Sequence, residues 1–280
     1  MLSAQAYCAD AVRRQDRHRY LTAVLAPPEA RKRLLALYAL NLELAKASEV
    51  TSEPMLAEIR LSWWREAVSE LYDGRPRKHM VTEALSHSHV AHYVRRGDLE
   101  ALIEVRIEDL EPERFATTGE LIRFAEDSAG ALAQLAVRCL GDADRDVDVA
   151  ARDVGTVWGL VGLMRSLPQS ARTRRLYVPK DRLQCLGLRP EQFYAGSIGR
   201  QLRPVVGEIL KIAEARIEEA RQRCPRPPRW SLPVLLLAQP AGAYIDALKR
   251  QECDAFAGDV RLGPLKAPLV LAWRHWLGRL

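Results

Sequence analysis

From Val154 to Lys180 the chain carries no aspartate or glutamate, although 36 acidic residues occur among its 280. The same stretch holds Arg165, Arg172, Arg174, Arg175 and Lys180. Gly155, Gly159, Gly162 and Ser166 lie at i, i+4, i+7 and i+11, so on a helix they share one face. Small side chains on one face have two uses. They let a neighbouring backbone approach closely, or they leave room for the wall of a pocket.

Other constellations are weaker. His87, His89 and His92 have a spacing that suits a metal, but no cysteine or acid cluster accompanies them, and the region reads as a solvated helix end. Asp142, Asp144, Asp146 and Asp148 alternate as in a calcium loop, yet the EF-hand glycine and closing glutamate are missing; an acid-rich helix start is the better account. No nucleophile elbow, G-x-G-x-x-G or Walker motif occurs. Cys8, Cys139, Cys185, Cys224 and Cys253 are far apart and never form C-x-x-C, which implies reduced thiols in a cytosol-like compartment and no zinc site.

The elements that must position these residues are helical. Leu34, Leu35, Tyr38, Leu42 and Ala45 recur at three-to-four spacing behind Pro27-Pro28-Glu29, a first-turn signal. Further periodic segments cover 59–71, 99–110, 118–140, 147–167, 199–223, 231–251 and 265–279, with a loop of short helical turns over 168–196. Pro168 is expected to end the helix before it. Period-2 alternation and hairpin turn pairs are absent, and no linker divides the chain. The expectation is one all-α domain, residues 1–280, of about ten helices.

Hydrophobic residues make up 48% and charged residues 28%, which excludes a disordered chain. The longest uncharged run, Trp230 to Ile245, falls short of the roughly 20 residues of a membrane span and contains Pro233 and Pro240. Net charge is +6, carried by 35 arginines and seven lysines, but no recognition motif for nucleic acid accompanies it. Residues 1–20 are Arg-rich like a presequence, yet their apolar pattern continues into Leu21 and Val24, so a structural first helix is expected.

Arg165-Ser166-Leu167-Pro168-Gln169-Ser170 followed by Arg175-Leu176-Tyr177-Val178-Pro179 resembles the second signature of the squalene/phytoene synthase family, Arg-Asp-x-x-Glu-Asp and then Arg-x-Tyr-Leu-Pro. Ser166, Gln169 and Ser170 stand where the family has its three carboxylates. The first signature, Tyr-Ala-Phe-Cys-Arg-x-x-Asp-Asp-x-x-Asp, is matched by Tyr38 to Glu49, with Ala45 and Lys46 in place of two aspartates and only Glu49 keeping a carboxylate at an aspartate position. The resemblance extends through Leu25-Ala26-Pro27-Pro28, Ser62-Trp63-Trp64-Arg65, Asp109-Leu110 and Ala129-Gly130.

The resemblance implies an isoprenoid-synthase-like helical bundle, with the helix of Tyr38 to Glu49 facing that of Gly155 to Ser166 across a central cavity. It implies ligand-pocket candidates Tyr38, Asn41, Glu49, Gly159, Gly162, Arg165, Arg175, Tyr177 and Lys180. Family catalysis ionises an allylic diphosphate with magnesium held by carboxylates on two helices; serine, glutamine and alanine cannot supply that charge, and a lysine opposes it. Loss of Mg²⁺ binding is therefore expected, with no other cofactor. Ala39-Leu40-Asn41-Leu42-Glu43-Leu44-Ala45 and the Trp-containing end resemble the complex I assembly factor branch. That branch implies a non-catalytic protein maturing a membrane respiratory complex, with a protein subunit or an anionic membrane surface as partner, a lipid or isoprenoid as ligand, and no nucleic acid. The place implied is cytoplasmic, peripheral at the inner membrane. A prenyl diphosphate transferase with altered metal ligands is the alternative. In the last segment, Leu265, Leu269, Val270, Trp273, Trp276 and Leu277 accompany Lys266, Arg274, His275 and Arg279. Such a helix either packs its tryptophans on the core or presents them to a membrane or partner groove.

Overall fold

Pro28 opens the third helix where its missing N–H costs nothing, and Asp144 and Thr117 open two others by accepting a backbone N–H (Val147 at 2.9 Å and Glu120 at 3.3 Å). The computed structural model describes residues 3–49, 54–260, 262–263 and 266–278. Its α-helices are α1 Ala4–Gln15, α2 Arg17–Ala23, α3 Pro28–Glu49, α4 Pro54–Tyr72, α5 Met80–His87, α6 Arg96–Glu108, α7 Thr118–Ala125 and α8 Ala131–Arg138. They continue with α9 Arg145–Arg172, α10 Lys180–Cys185, α11 Pro190–Tyr194, α12 Arg203–Arg223, α13 Leu232–Leu235, α14 Ala238–Arg250 and α15 Lys266–Leu277. Among the described residues there is no strand.

The bundle is organised on α9. Helices α7, α8, α12, α13 and α14 pack around it, while α3 gathers α1, α2, α4, α5 and α6. Leu34, Leu37, Leu40 and Leu44 follow helical spacing along α3 and are fully buried, each contributing about 1.5–3 kcal/mol relative to exposure. One contiguous apolar core runs from Ala4 to Val260.

Among the described residues fifteen α-helices replace the expected ten or so, because local caps divide longer patterns. Asp16 ends α1 and starts α2, its carboxylate accepting the Arg19 N–H at 3.1 Å. The 118–140 segment is one run, but Glu126–Gly130 within it is a π-helical turn between α7 and α8. Pro168 does not end α9. Leu167, Ser170 and Ala171 around it are buried, and their packing carries the helix past the single hydrogen bond that proline removes. The helix ends instead at Arg172, and beyond its cap Thr173 the φ of 54° at Arg174 turns the chain while the Arg175 N–H donates to the Ser170 carbonyl at 2.8 Å.

The stretch Arg229–Arg250 has the length and hydropathy of a membrane span, but 72% of its apolar window is buried inside the protein. It is a core element here, broken at residues 236 and 237 between α13 and α14. Burial pushes the Cys8 and Cys139 thiols up to about 12, and all five cysteines are free.

Candidate functional site

Helices α3 and α9 face each other across a cavity of about 190 Å³. Asn41 reaches it from α3, and Gly159, Gly162 and Leu163 from α9; Arg19, Arg106 and Phe124 complete the wall. A side-chain carbon built on Gly162 meets nothing within 4 Å, so this glycine is open space. Gly155 is the opposite case. Its added carbon would lie 2.4 Å from the Ala129 carbonyl oxygen, so it exists for close helix approach to the π-helical turn. Gly159 has both characters, lining the cavity while its added carbon would sit 2.9 Å from the Ala129 Cβ. One face therefore serves both uses that small residues allow.

Tyr38, one turn before Asn41, is buried rather than cavity-lining. Its hydroxyl has no hydrogen-bond partner, burial raises its pKa, and the Arg19 guanidinium lies 5.5 Å from its ring centre.

A second, wider cavity of about 380 Å³ adjoins the first, with Trp158 in the wall of both. Arg165 from α9, His18 from α2 and Tyr244 from α14 meet there, with Arg14 and Arg17 at its rim. The Arg165 guanidinium stacks 3.5 Å from the centre of the Tyr244 ring, and His18 Nε2 shares a 3.0 Å hydrogen bond with the Tyr244 hydroxyl. Arg165 Nε and His18 Nδ1 are buried without a hydrogen-bond partner. Asp16 also lines the cavity, but its carboxylate is held by Arg19 at 2.9 Å. Burial holds the His18 imidazole below its usual range, Arg17 and Arg165 adding to the effect and Asp16 opposing it. Asp259 and Asp16 act on Arg165 through their charge, but neither accepts a hydrogen bond from its buried Nε; the arrangement is cationic and aromatic, which suits an anion with an apolar part.

Arg175, Tyr177 and Lys180 do not join Arg165. Asp109, 2% exposed at the end of α6, accepts from the Tyr177 hydroxyl at 3.1 Å and pairs with Arg175 at 3.3 Å and Arg106 at 3.9 Å. Phe124 stacks on Tyr177, 6.3 Å between ring centres. This node ties the 173–179 loop to α6. Lys180 pairs with Glu113 at 3.9 Å, partly exposed.

The positions of the family carboxylates can be read in turn. Ser166 and Ser170 each donate their hydroxyl to a carbonyl of their own helix, Leu163 and Leu167, both at 3.0 Å. Gln169 is exposed. Ala45 has no donor, and the Lys46 ammonium is paired with Glu43 at 2.7 Å. The Glu49 side chain, like Glu53, lies outside the described residues. A magnesium ion needs several free oxygens on facing helices, and the described donors do not fit it. Among the described residues no three His, Cys, Asp or Glu side chains converge. His87, His89 and His92 are exposed at the end of α5 and in the turn after it, and Asp144 caps α9.

Sequence reasoning found Arg165 but not its neighbours. His18 and Tyr244 are 226 positions apart and carry no local motif. Trp158 lies between Gly155 and Gly159 and belongs to neither signature.

A family model described as squalene/phytoene synthase matches residues 12–267. The chain is 27% identical over 273 residues to complex I assembly factor 6 of Mus musculus, covering 98% of this chain and 82% of that protein. It is 25% identical over 262 residues to chloroplastic phytoene synthase of Daucus carota, covering 88% of this chain and 64% of that one. In three dimensions it is similar to squalene synthase HpnC from Alicyclobacillus acidocaldarius, with a TM-score of 0.76, 17% identity, and coverage of 90% of this chain and 95% of the other.

Proposed function

The chain belongs to the squalene/phytoene synthase family, and from that premise we propose that it is a non-catalytic member acting in assembly or maturation of a membrane respiratory complex of the complex I type. The observation that carries this is the state of the carboxylate positions. The Ser166 and Ser170 hydroxyls are turned into their own helix, and on α3 Ala45 and Lys46 stand in place of the two leading aspartates, with the Lys46 ammonium paired to Glu43. Similarity to the mouse assembly factor along nearly the whole chain supports the direction of the change. The protein acts by binding a protein or lipid partner, at the cytoplasmic side of an inner membrane.

The cavity of Arg165, His18 and Tyr244 supports a ligand in this reading. It takes the anionic end of a phosphate- or lipid-like molecule, with Trp158 and the space beside Gly162 receiving apolar chain.

Two measurements test the proposal. Calorimetry with Mg²⁺ and inorganic diphosphate should give no coupled uptake, and incubation with farnesyl or geranylgeranyl diphosphate no condensed product. Turnover abolished by EDTA would restore the transferase reading. Removing the gene from its native host should lower NADH:ubiquinone oxidoreductase activity in membranes, with recovery on re-expression of the wild-type chain or of S166A/S170A.

A further inference from the structure

Helix α15 has an inner and an outer line. Leu271 is 2% exposed and rests on Leu232 and Leu236, with Leu21 and Leu25 beside them. Arg274 and His275 continue that inner line, half-buried. On the outer line Leu269, Trp273 and Trp276 fall at i, i+4 and i+7, and they are 71%, 60% and 68% exposed. Val270 and Leu277 widen the strip, and the two indoles sit together with ring centres 5.5 Å apart. Packing of the tryptophans onto the core, one of the two expectations, is not what occurs. Five large apolar side chains in one strip facing water mark an interaction surface.

No aspartate or glutamate occurs in 260–280 or in 220–245. Arg221 and Arg223 at the end of α12 are paired with Glu218 at 3.7 Å and Asp146 at 4.0 Å, while Arg226 and Arg229 lie in the segment leading into α13. Arg226 and Arg229 are exposed and make no ion pair with a described residue. Arg229 lies three residues before Leu232, which packs against Leu271, so its backbone adjoins the foot of α15; burial first, and the Arg229 charge after it, hold the His275 imidazole below its usual range.

We infer that the outer face of α15, with Arg226 and Arg229, docks the protein on an anionic lipid bilayer, Trp273 and Trp276 entering the boundary between headgroups and acyl chains and the guanidiniums meeting lipid phosphates. Indole rings favour that boundary, and arginine there gains from the negative surface potential. A protein groove would need acidic groups to match these arginines and a pocket deep enough for two adjacent indoles; a bilayer supplies both conditions without any specific shape. The inference rests on the reading of the chain as a factor acting at a membrane complex, and names the surface that brings it there.

Vesicle flotation of the full chain tests it, with phosphatidylcholine alone and with phosphatidylcholine mixed with phosphatidylglycerol. Binding is expected to the mixed vesicles and to weaken in high salt. W273S/W276S should lower it by about tenfold or more, and R226Q/R229Q by roughly fivefold for each arginine, on mixed vesicles only. Brominated acyl chains should quench wild-type tryptophan fluorescence, and less so in W273S/W276S. All the substituted side chains are exposed, and circular dichroism checks that each variant folds. Absence of wild-type binding, or unchanged binding of W273S/W276S, overturns the inference. So does a wild-type dimer in light scattering that the tryptophan substitutions dissolve, since the strip then belongs to a second copy. Retained vesicle binding with loss of a co-purified partner subunit would give it to a protein. If the vesicles fail but gene removal still lowers complex activity, the docking face falls and the functional reading stands; the reverse pair of results separates them the other way.

Discussion

At the residue scale, Asp109 decides the geometry of the loop after α9. It is nearly sealed from water, and its charge is set against Arg175 and Arg106 with the Tyr177 hydroxyl as a third partner. Removing the carboxylate takes away the counter-charge 3.3 Å from Arg175, whose side chain is 15% exposed, and the acceptor of the Tyr177 hydroxyl. Asp109→Asn should therefore destabilise the protein by about 3–5 kcal/mol, and Tyr177→Phe by about 1.5–3 kcal/mol, both read from urea unfolding. A loss below about 1 kcal/mol for Asp109→Asn would mean that the node is solvated in solution. His18 gives a second prediction, of opposite chemical character. Burial keeps its imidazole neutral in the folded chain, whereas the unfolded chain titrates near the ordinary histidine value. The unfolded state thus binds the extra proton first, so stability from this group is present above the usual histidine range and is lost as the pH falls below it. An anion beside Arg165 reverses the balance and favours imidazolium. Sulfate, whose charge is constant over this range, should bind more tightly as the pH falls from neutral, and His18→Gln should flatten that dependence. Calorimetric titration at several pH values measures it; a flat wild-type profile would remove His18 from the site.

At the scale of elements, the glycines of α9 divide by what surrounds them. Gly155→Ala forces a carbon to 2.4 Å from a backbone oxygen and 2.6 Å from the Ala133 Cβ, neither of which can yield without parting α9 from the π-helical turn. A cost of about 1–3 kcal/mol or more is expected. Gly162→Ala meets nothing, and helix propensity should make it neutral or stabilising by up to about 1 kcal/mol. The pair separates packing from cavity on the same helix face, with thermal unfolding as the readout. That distinction was not available from spacing, which is identical for both uses. What spacing does carry is the helix content; the α3–α9 opposition comes from the family resemblance, and Asn41 and Gly162 do line one cavity. The signatures also mark Arg165, but they group it with Arg175, Tyr177 and Lys180, and the loop turned at Arg174 sends Arg175 and Tyr177 to the end of α6 and Lys180 to Glu113 instead. Asp109 is what captures the first two, and a lone aspartate after Ile107 and Glu108 announces no such role. Pro168 misleads for a related reason. Proline's local cost is fixed by its own backbone, whereas the burial of Leu167 and Ala171 that overrides it is a property of the assembled bundle.

At the scale of the whole molecule, α15 stands apart from the body it rests on. The main core closes from Ala4 to Val260 without it, and its attachment is the small separate cluster of Leu271 on Leu232 and Leu236. Cutting the chain after residue 263 would uncover those two leucines, together with flanks of Leu21 and Leu25, and little else. Burial of that size is worth about 1.5–3 kcal/mol per leucine at most, which for a chain of this length lowers the unfolding midpoint by on the order of 10 °C. The truncated protein should therefore remain folded and unfold in one cooperative transition. Circular dichroism should show a loss of helix matching the 12 residues of α15 and no more. Sulfate binding at Arg165 should survive in part, since only Leu262 and Gly263 of that cavity come from the segment near the cut. A truncated chain that is molten or aggregates from solution would show that α15 belongs to the core in spite of its exposed strip, and that the strip's tryptophans serve the fold rather than an encounter outside it.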